Sequence, residues 1–164
     1  MKLLRCGGRL NCSQVKETIR KLDEPTVHKP LRLVVAALIL REGTDGIEVL
    51  VCQRKPDQPM SLKWEFPGGK IEPGEGAEDA LARELDEELG ISAVIGRRVA
   101  QIRHKYRNGG AIDLQFFMVR EFNGALENRI FNDIRWASLR SLPDYDFLAA
   151  DLGLIRDLSE GKLL

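Results

Sequence analysis

The stretch from Gly69 to Ile91, GKIEPGEGAEDALARELDEELGI, constrains this chain more than any other. Its approach, from Gly68-Gly69 to Pro73-Gly74, reads as a loop, because Gly and Pro interrupt any helical pattern there. From Ala77 the residues are helix formers, with no β-branched side chain before Ile91. Gly90 supplies the stop. The predicted helix carries two stripes. Leu81, Leu85 and Leu89 recur every fourth residue and share a face that should dock on a core. Glu84, Glu87 and Glu88 stand at i, i+3 and i+4 and share a neighbouring face.

Like charges at that spacing destabilise a helix by about 0.2–0.5 kcal/mol per pair. A helix shaped for stability alone avoids them. One reading of the stripe is a solvated acidic face. The other is a ligand set for a hard divalent cation, which takes oxygen donors and is commonly shared with substrate phosphates.

The wider spacing, G-x5-E-x7-R-E-U-x-E-E-x-G-U with U apolar, resembles the box of the Nudix hydrolase family. Gly69, Glu75, Arg83, Glu84, Leu85, Glu87, Glu88, Gly90 and Ile91 fill its defined positions. The preceding WEFPGGK, Trp64 to Lys70, is similar to the MutT-type branch, which acts on nucleoside triphosphates. The resemblance begins near Leu31 and runs almost to the C-terminus. It implies an α/β/α sandwich with a mixed β-sheet and the box loop-helix beside the substrate cleft. Residues 31–164 are then the Nudix domain and residues 1–30 an N-terminal extension. Within the extension, Cys6, Cys12 and His28 fit no common zinc spacing.

At 164 residues one domain with a sizeable core is expected. The charges balance, 25 Lys and Arg against 25 Asp and Glu, so no global basic field recruits nucleic acid. The apolar run Leu33 to Leu40 is far short of the ~20 residues a membrane span needs. An odd cysteine count, Cys6, Cys12 and Cys52, and no signal-peptide pattern point to a reducing, cytoplasmic compartment. The expected partner is a small nucleotide, and the chain a monomer or homodimer.

Along the chain, Leu31–Arg41 and Ile47–Arg54 read as strands joined by the turn Glu42–Gly46. Lys55–Lys63 is a loop, and Trp64–Phe66 a short extended segment. Ala93–Tyr106 and Ile112–Phe122 are strands around the Asn108-Gly109-Gly110 turn. Arg129–Ala137 is a last strand, Ser138–Leu142 a turn of helix and Phe147–Leu158 a C-terminal helix.

The chemistry implied by the resemblance is cleavage between phosphates. Glu84, Glu87 and Glu88, with the Gly68 carbonyl, hold Mg²⁺, with Mn²⁺ the alternative, and Glu87 or Glu88 also serves as base. Glu75 and Arg83 pair to pin the loop to the helix, with Gly69 and Gly90 supporting the box. Arg54, at the end of its strand, reaches substrate phosphate or is a surface charge. Phe66 is a core ring or faces a nucleobase. Asp151 falls in Tyr145–Asp151, which resembles the base-reading segment, where an asparagine is familiar. As a carboxylate it only accepts hydrogen bonds, which suits a donor-rich guanine or cytosine edge; otherwise it is an exposed helix-start acid. One departure concerns a further glutamate that many MutT-like chains carry before the last strand. Ile130-Phe131 occupy that place, with Glu127 out of register.

The expected reaction converts a (deoxy)nucleoside triphosphate, or an oxidised one such as 8-oxo-dGTP, into monophosphate and pyrophosphate. The alternatives are hydrolysis of ADP-ribose or a dinucleoside polyphosphate, and nucleotide sensing without hydrolysis.

Overall fold

The computed structural model describes residues 30–107 and 109–163. The expected extension, up to Lys29, and the turn residue Asn108 lie outside the described residues. The expected hairpin forms. Strand β1 (Leu31–Gly43) turns at Thr44-Asp45 into β2 (Gly46–Gln53), with Gly43 opposite Gly46. The pairing runs two residues past Arg41. Arg41 donates to Glu48 Oε2 at 2.7 Å and lies 4.2 Å from the Trp136 ring centroid.

Strand β1 organises the sheet. Leu31–Ile39 run parallel to β6 (Ala111–Asn123), and β6 pairs antiparallel with β5 (Ser92–Lys105). On its other edge β1 pairs with β4 (Gly68–Lys70). Strand β2 continues the sheet to β3 (Trp64–Glu65) and β7 (Asp133–Ser138). The order β3-β2-β1-β6-β5, with β4 on β1 and β7 on β2, makes a mixed sheet.

The period of two along β1 builds both cores. Val35, Ala37 and Ile39 face helix α1 (Ala77–Leu89), where Leu81, Leu85 and Leu89 are buried as their spacing predicts. Ala36, Leu38 and Leu40 face the opposite layer. There they meet Leu142 of a 3₁₀ helix (Leu139–Asp144) and Leu154, Ile155 and Leu158 of α2 (Leu152–Ser159). The architecture is the expected sandwich. No helix among the described residues is long and apolar enough to cross a membrane.

Three boundaries differ from the sequence reading, each for a tertiary reason. The Gly68-Gly69 pair is strand, not loop. Gly68, at φ 144°, lies so close to β1 that a Cβ there would sit 2.2 Å from the Val35 carbonyl oxygen. The last strand starts at Asp133, because the residues before it clamp the end of α1. Glu127 N donates to Leu89 O at 2.9 Å and Arg129 N to Glu88 O at 3.1 Å. The C-terminal helix starts at Leu152, not Phe147. Phe147 bridges to Trp64 and packs 5.4 Å from Phe66, so residues 147–151 form a wall instead of a first helical turn.

Candidate active site

The loop and helix of the box are tied together as expected. Arg83 meets Glu75 through two bonds, Nε to Oε1 at 2.9 Å and Nη2 to Oε2 at 3.1 Å. Its Nη2 also donates to the Lys70 carbonyl at 3.2 Å, and Glu72 N donates to Glu75 Oε2 at 3.1 Å. These bonds hold the Glu75 carboxyl below its usual range and raise the Arg83 guanidinium. Helix α1 ends on Gly90 at φ 68°, a left-handed conformation open to glycine, whose N–H caps Asp86 O. Arg129 adds a bond to the same carbonyl at 2.7 Å.

The three glutamates are not equivalent. Glu88 is buried and accepts from the Gly68 N–H at 3.0 Å. Burial, then the charges of Glu84, Glu65 and Glu87, push its carboxyl up to about 8 against the opposing pull of that N–H. Glu84 is tucked against Gly69, where a Cβ would lie 2.3 Å from its carboxyl carbon. Gly69 is therefore needed at this place so that Glu84 can lie on the backbone. Glu87 is at the rim, its side chain 59% exposed.

Arg83 also does something the sequence did not suggest. Its Nη1 reaches Glu84 Oε1 at 3.0 Å and Glu87 Oε1 at 3.5 Å, bridging two carboxylates of the stripe. Among the described residues no three acidic, histidine or cysteine side chains converge as a metal cage. The donor chemistry still fits a hard cation. All candidate ligands are oxygens, and the burial and acidic neighbours that raise the Glu88 carboxyl are a cost that a nearby cation would offset.

A cleft of about 560 Å³ opens beside the box. Gly68 and Gly69 line one part and Ala149, Ala150 and Asp151 another. Val34, Ala36, Ile112 and Leu114 of the sheet, with Phe66, supply an apolar lining between polar groups. Phe66 is a core ring, buried edge-to-face on Phe116 at 6.0 Å, and it also reaches this lining.

Arg54 follows β2 and lines the cleft, so it is not a free surface charge. Its Nε donates to Pro59 O at 2.9 Å and its Nη1 to both Glu65 oxygens at 3.0 and 2.9 Å. Asp151 is 3% exposed, which rules out an exposed helix-start acid. Its side chain makes no cap bond to α2. Burial, then the Glu65 charge, push its carboxyl up to about 8. Ile130 and Phe131 pack in the α1-side core, and Glu127 pairs with Arg129 at 3.1 Å. Sequence reasoning missed Glu65. One glutamate inside WEF has no periodicity to mark it, and only its pairing of strand β3 with Cys52 places it in the cleft.

Several comparisons agree with this geometry. The NUDIX domain model matches residues 30–158. The CTP pyrophosphohydrolase of Escherichia coli K12 is 38% identical over 122 residues, 74% of this chain and 87% of that protein. The 8-oxo-dGTP diphosphatase of the same organism is 33% identical over 127 residues, 77% of this chain and 96% of that protein. The solution structure of the E. coli ORF135 protein aligns with a TM-score of 0.69 at 36% identity, covering 80% of this chain and 91% of that one. The match spans the sheet, both helices and the whole box, and the chain belongs to the Nudix family of hydrolases.

Proposed function

We propose that this protein hydrolyses a nucleoside triphosphate to monophosphate and pyrophosphate. The carrying observation is one cleft that joins the box glycines to the buried Asp151 carboxyl across an apolar lining. A nucleotide has the matching parts: charged phosphates, an apolar ring face and a hydrogen-bonding ring edge. The relatives named for CTP and for 8-oxo-dGTP support a triphosphate over a nucleoside-diphosphate derivative.

Glu84, Glu87 and Glu88, with the Gly68 peptide, would hold the divalent cation, Mg²⁺ first and Mn²⁺ second. When bound, such a cation polarises a phosphoryl oxygen and positions a water for attack. Gly68 N–H orients Glu88, and Gly69 gives Glu84 its place. Arg83, itself fixed by Glu75, orients Glu84 and Glu87. Arg54 presents its remaining donors to phosphate, which a guanidinium fits well. Phe66 and the sheet residues receive the base, and Asp151 meets its edge. A nucleotide substrate also supports a cytoplasmic location.

The test is a panel of normal and oxidised nucleoside triphosphates, with ADP-ribose and a dinucleoside polyphosphate, incubated with protein and Mg²⁺ or Mn²⁺. Monophosphate and pyrophosphate should appear from at least one triphosphate at a higher kcat/KM than from any diphosphate derivative. Preference for ADP-ribose, or no turnover, would refute the proposal.

The domain boundary near residue 30 belongs to the same proposal. Removing Met1 to Lys29 leaves the family match and every proposed ligand in place. Triphosphate hydrolysis and melting temperature should then stay close to those of the full chain. Loss of folding would place the extension in the core, and loss of activity alone would place it at the cleft.

A further inference from the structure

We infer that Glu65 is a positioning residue that holds Arg54 aimed at the substrate's phosphates; this rests on the reading of Arg54 as a phosphate contact. The ion pair is only about a fifth exposed, with side chains at 22% for Arg54 and 19% for Glu65. Two anchors fix the guanidinium. Nε is held by the Pro59 carbonyl at 2.9 Å, and Nη1 is shared between both Glu65 oxygens at 3.0 and 2.9 Å. Nη2 makes no hydrogen bond among the described residues, and both partners line the cleft. A fixed guanidinium with one unused nitrogen is prepared for a further acceptor.

Stability alone does not account for the pair. Removing two charges from water commonly costs as much as their attraction returns. Here the cost is greater, because Glu65 shares its surroundings with two other buried acids. Its charge acts on Glu88 of the box and on Asp151 at the far wall, and burial raises its own carboxyl against the pull of Arg54. A cation among three acids can rest on any of them. The short tether from β3 keeps Arg54 on Glu65, leaving Glu88 to a metal ion and Asp151 to the base. The backbone of Glu65 is set against Cys52 of β2, two residues before Arg54, so Glu65 sits on β3 and Arg54 directly follows the paired β2.

The experiment is a double-mutant cycle with Arg54→Ala, Glu65→Gln and the combined variant. KM and kcat are measured with CTP and 8-oxo-dGTP in Mg²⁺, together with inhibition by inorganic pyrophosphate, which reports on phosphate contacts without a base. Gln accepts through one oxygen and cannot reproduce the bidentate grip. Glu65→Gln should raise KM and weaken pyrophosphate inhibition by about 10–100-fold, the usual effect of losing an orienting partner, with a smaller change in kcat. In the Arg54→Ala background it should add almost nothing. Glu65→Asp, which keeps the charge on a shorter arm, should fall between. Melting temperatures verify folding, and Glu65→Asp carries the test if Glu65→Gln does not fold. If Arg54→Ala raises KM but Glu65→Gln leaves it unchanged, lowers it or acts additively, Glu65 does not position Arg54 and the phosphate reading stands. If Arg54→Ala leaves KM and pyrophosphate inhibition unchanged, the phosphate reading fails and this inference with it.

Discussion

Glu88→Gln is expected to lower kcat by about 10²-fold or more while raising the melting temperature of the metal-free protein. The activity loss follows from its proposed place as a cation ligand; a positioned carboxylate in this type of chemistry commonly contributes at least about 10²-fold. The stability gain follows from its surroundings. Glu88 is buried beside Glu84, Glu65 and Glu87, and its carboxyl is pushed up to about 8. A carboxyl that binds its proton more tightly when folded stabilises the fold while protonated. That contribution is complete below the ordinary carboxylate range and is lost as pH rises through about 8. Gln is neutral at every pH and still offers an oxygen to the Gly68 N–H. The melting-temperature advantage of the variant should therefore be small near pH 5 and full near pH 9. Added Mg²⁺ should narrow the difference, because binding to the folded state stabilises the wild type by mass action. Thermal melts at these pH values, with and without Mg²⁺, check the stability part, and turnover at saturating Mg²⁺ checks the activity part. Undiminished turnover would remove Glu88 from the proposed ligand set.

Asp151→Asn should flatten the pH dependence of base preference. The sequence alone presents Asp151 as a carboxylate that only accepts. Its burial changes the donor count: with its carboxyl pushed up to about 8, the protonated form is favoured at pH 7. A neutral carboxyl offers one O–H donor and one acceptor. That suits an edge with a donor beside an acceptor, such as the amino group and N3 of cytosine. Above pH 8 the ionised form accepts twice and suits the N1–H and amino group of a guanine. Leaving one buried group mismatched costs about 1–3 kcal/mol, or about one to two decades in specificity. The ratio of kcat/KM for CTP to that for dGTP should fall by about that much in the wild type between pH 6 and pH 9. Asn offers a donor and an acceptor at both values, so its ratio should stay level near the low-pH wild-type value. Effects of pH on the shared phosphate chemistry cancel in the ratio. Parallel profiles for the two proteins would show that Asp151 does not read the base. Stability gives a second measure. Ionising a buried Asp151 weakens the fold as pH rises from the usual carboxylate range to about 8, so the variant should gain in melting temperature mainly at high pH. Each kcal/mol corresponds to about 2–4 °C for a domain of this size.

These residues also show which parts of the molecule were legible in the sequence. Helix α1 was, because its leucine period, its helix-forming interior and Gly90 all report local structure, and it runs from Ala77 to Leu89 as read. The β1–β2 hairpin was legible for the same reason. The Gly68-Gly69 pair was misread because glycine permits a close approach as well as a turn. The deciding neighbour, Val35, lies 33 positions earlier in the chain. Residues 129–132 read as the start of the last strand, but the open Glu88 carbonyl at the end of α1 takes the Arg129 N–H instead, and β7 starts only at Asp133. In the site, Arg83 and Glu75 were legible through fixed spacing. The second grip of Arg83 on Glu84 and Glu87 was not, because it depends on side-chain conformation. The burial of Asp151 was hidden as well. An acid at the head of a helix is ordinarily solvated, and only the docking of residues 147–151 against Trp64 and Phe66 closes it in.

Product analysis decides whether this cleft cleaves a nucleoside triphosphate with the help of a divalent cation. CTP and 8-oxo-dGTP are incubated with the protein, with Mg²⁺ or with chelator, and the phosphorus products are resolved by ³¹P NMR. Equal amounts of nucleoside monophosphate and pyrophosphate are expected from at least one of them, only when the cation is present, and almost none from Glu88→Gln. Nucleoside diphosphate with inorganic phosphate as products, or equal turnover in chelator, would contradict it.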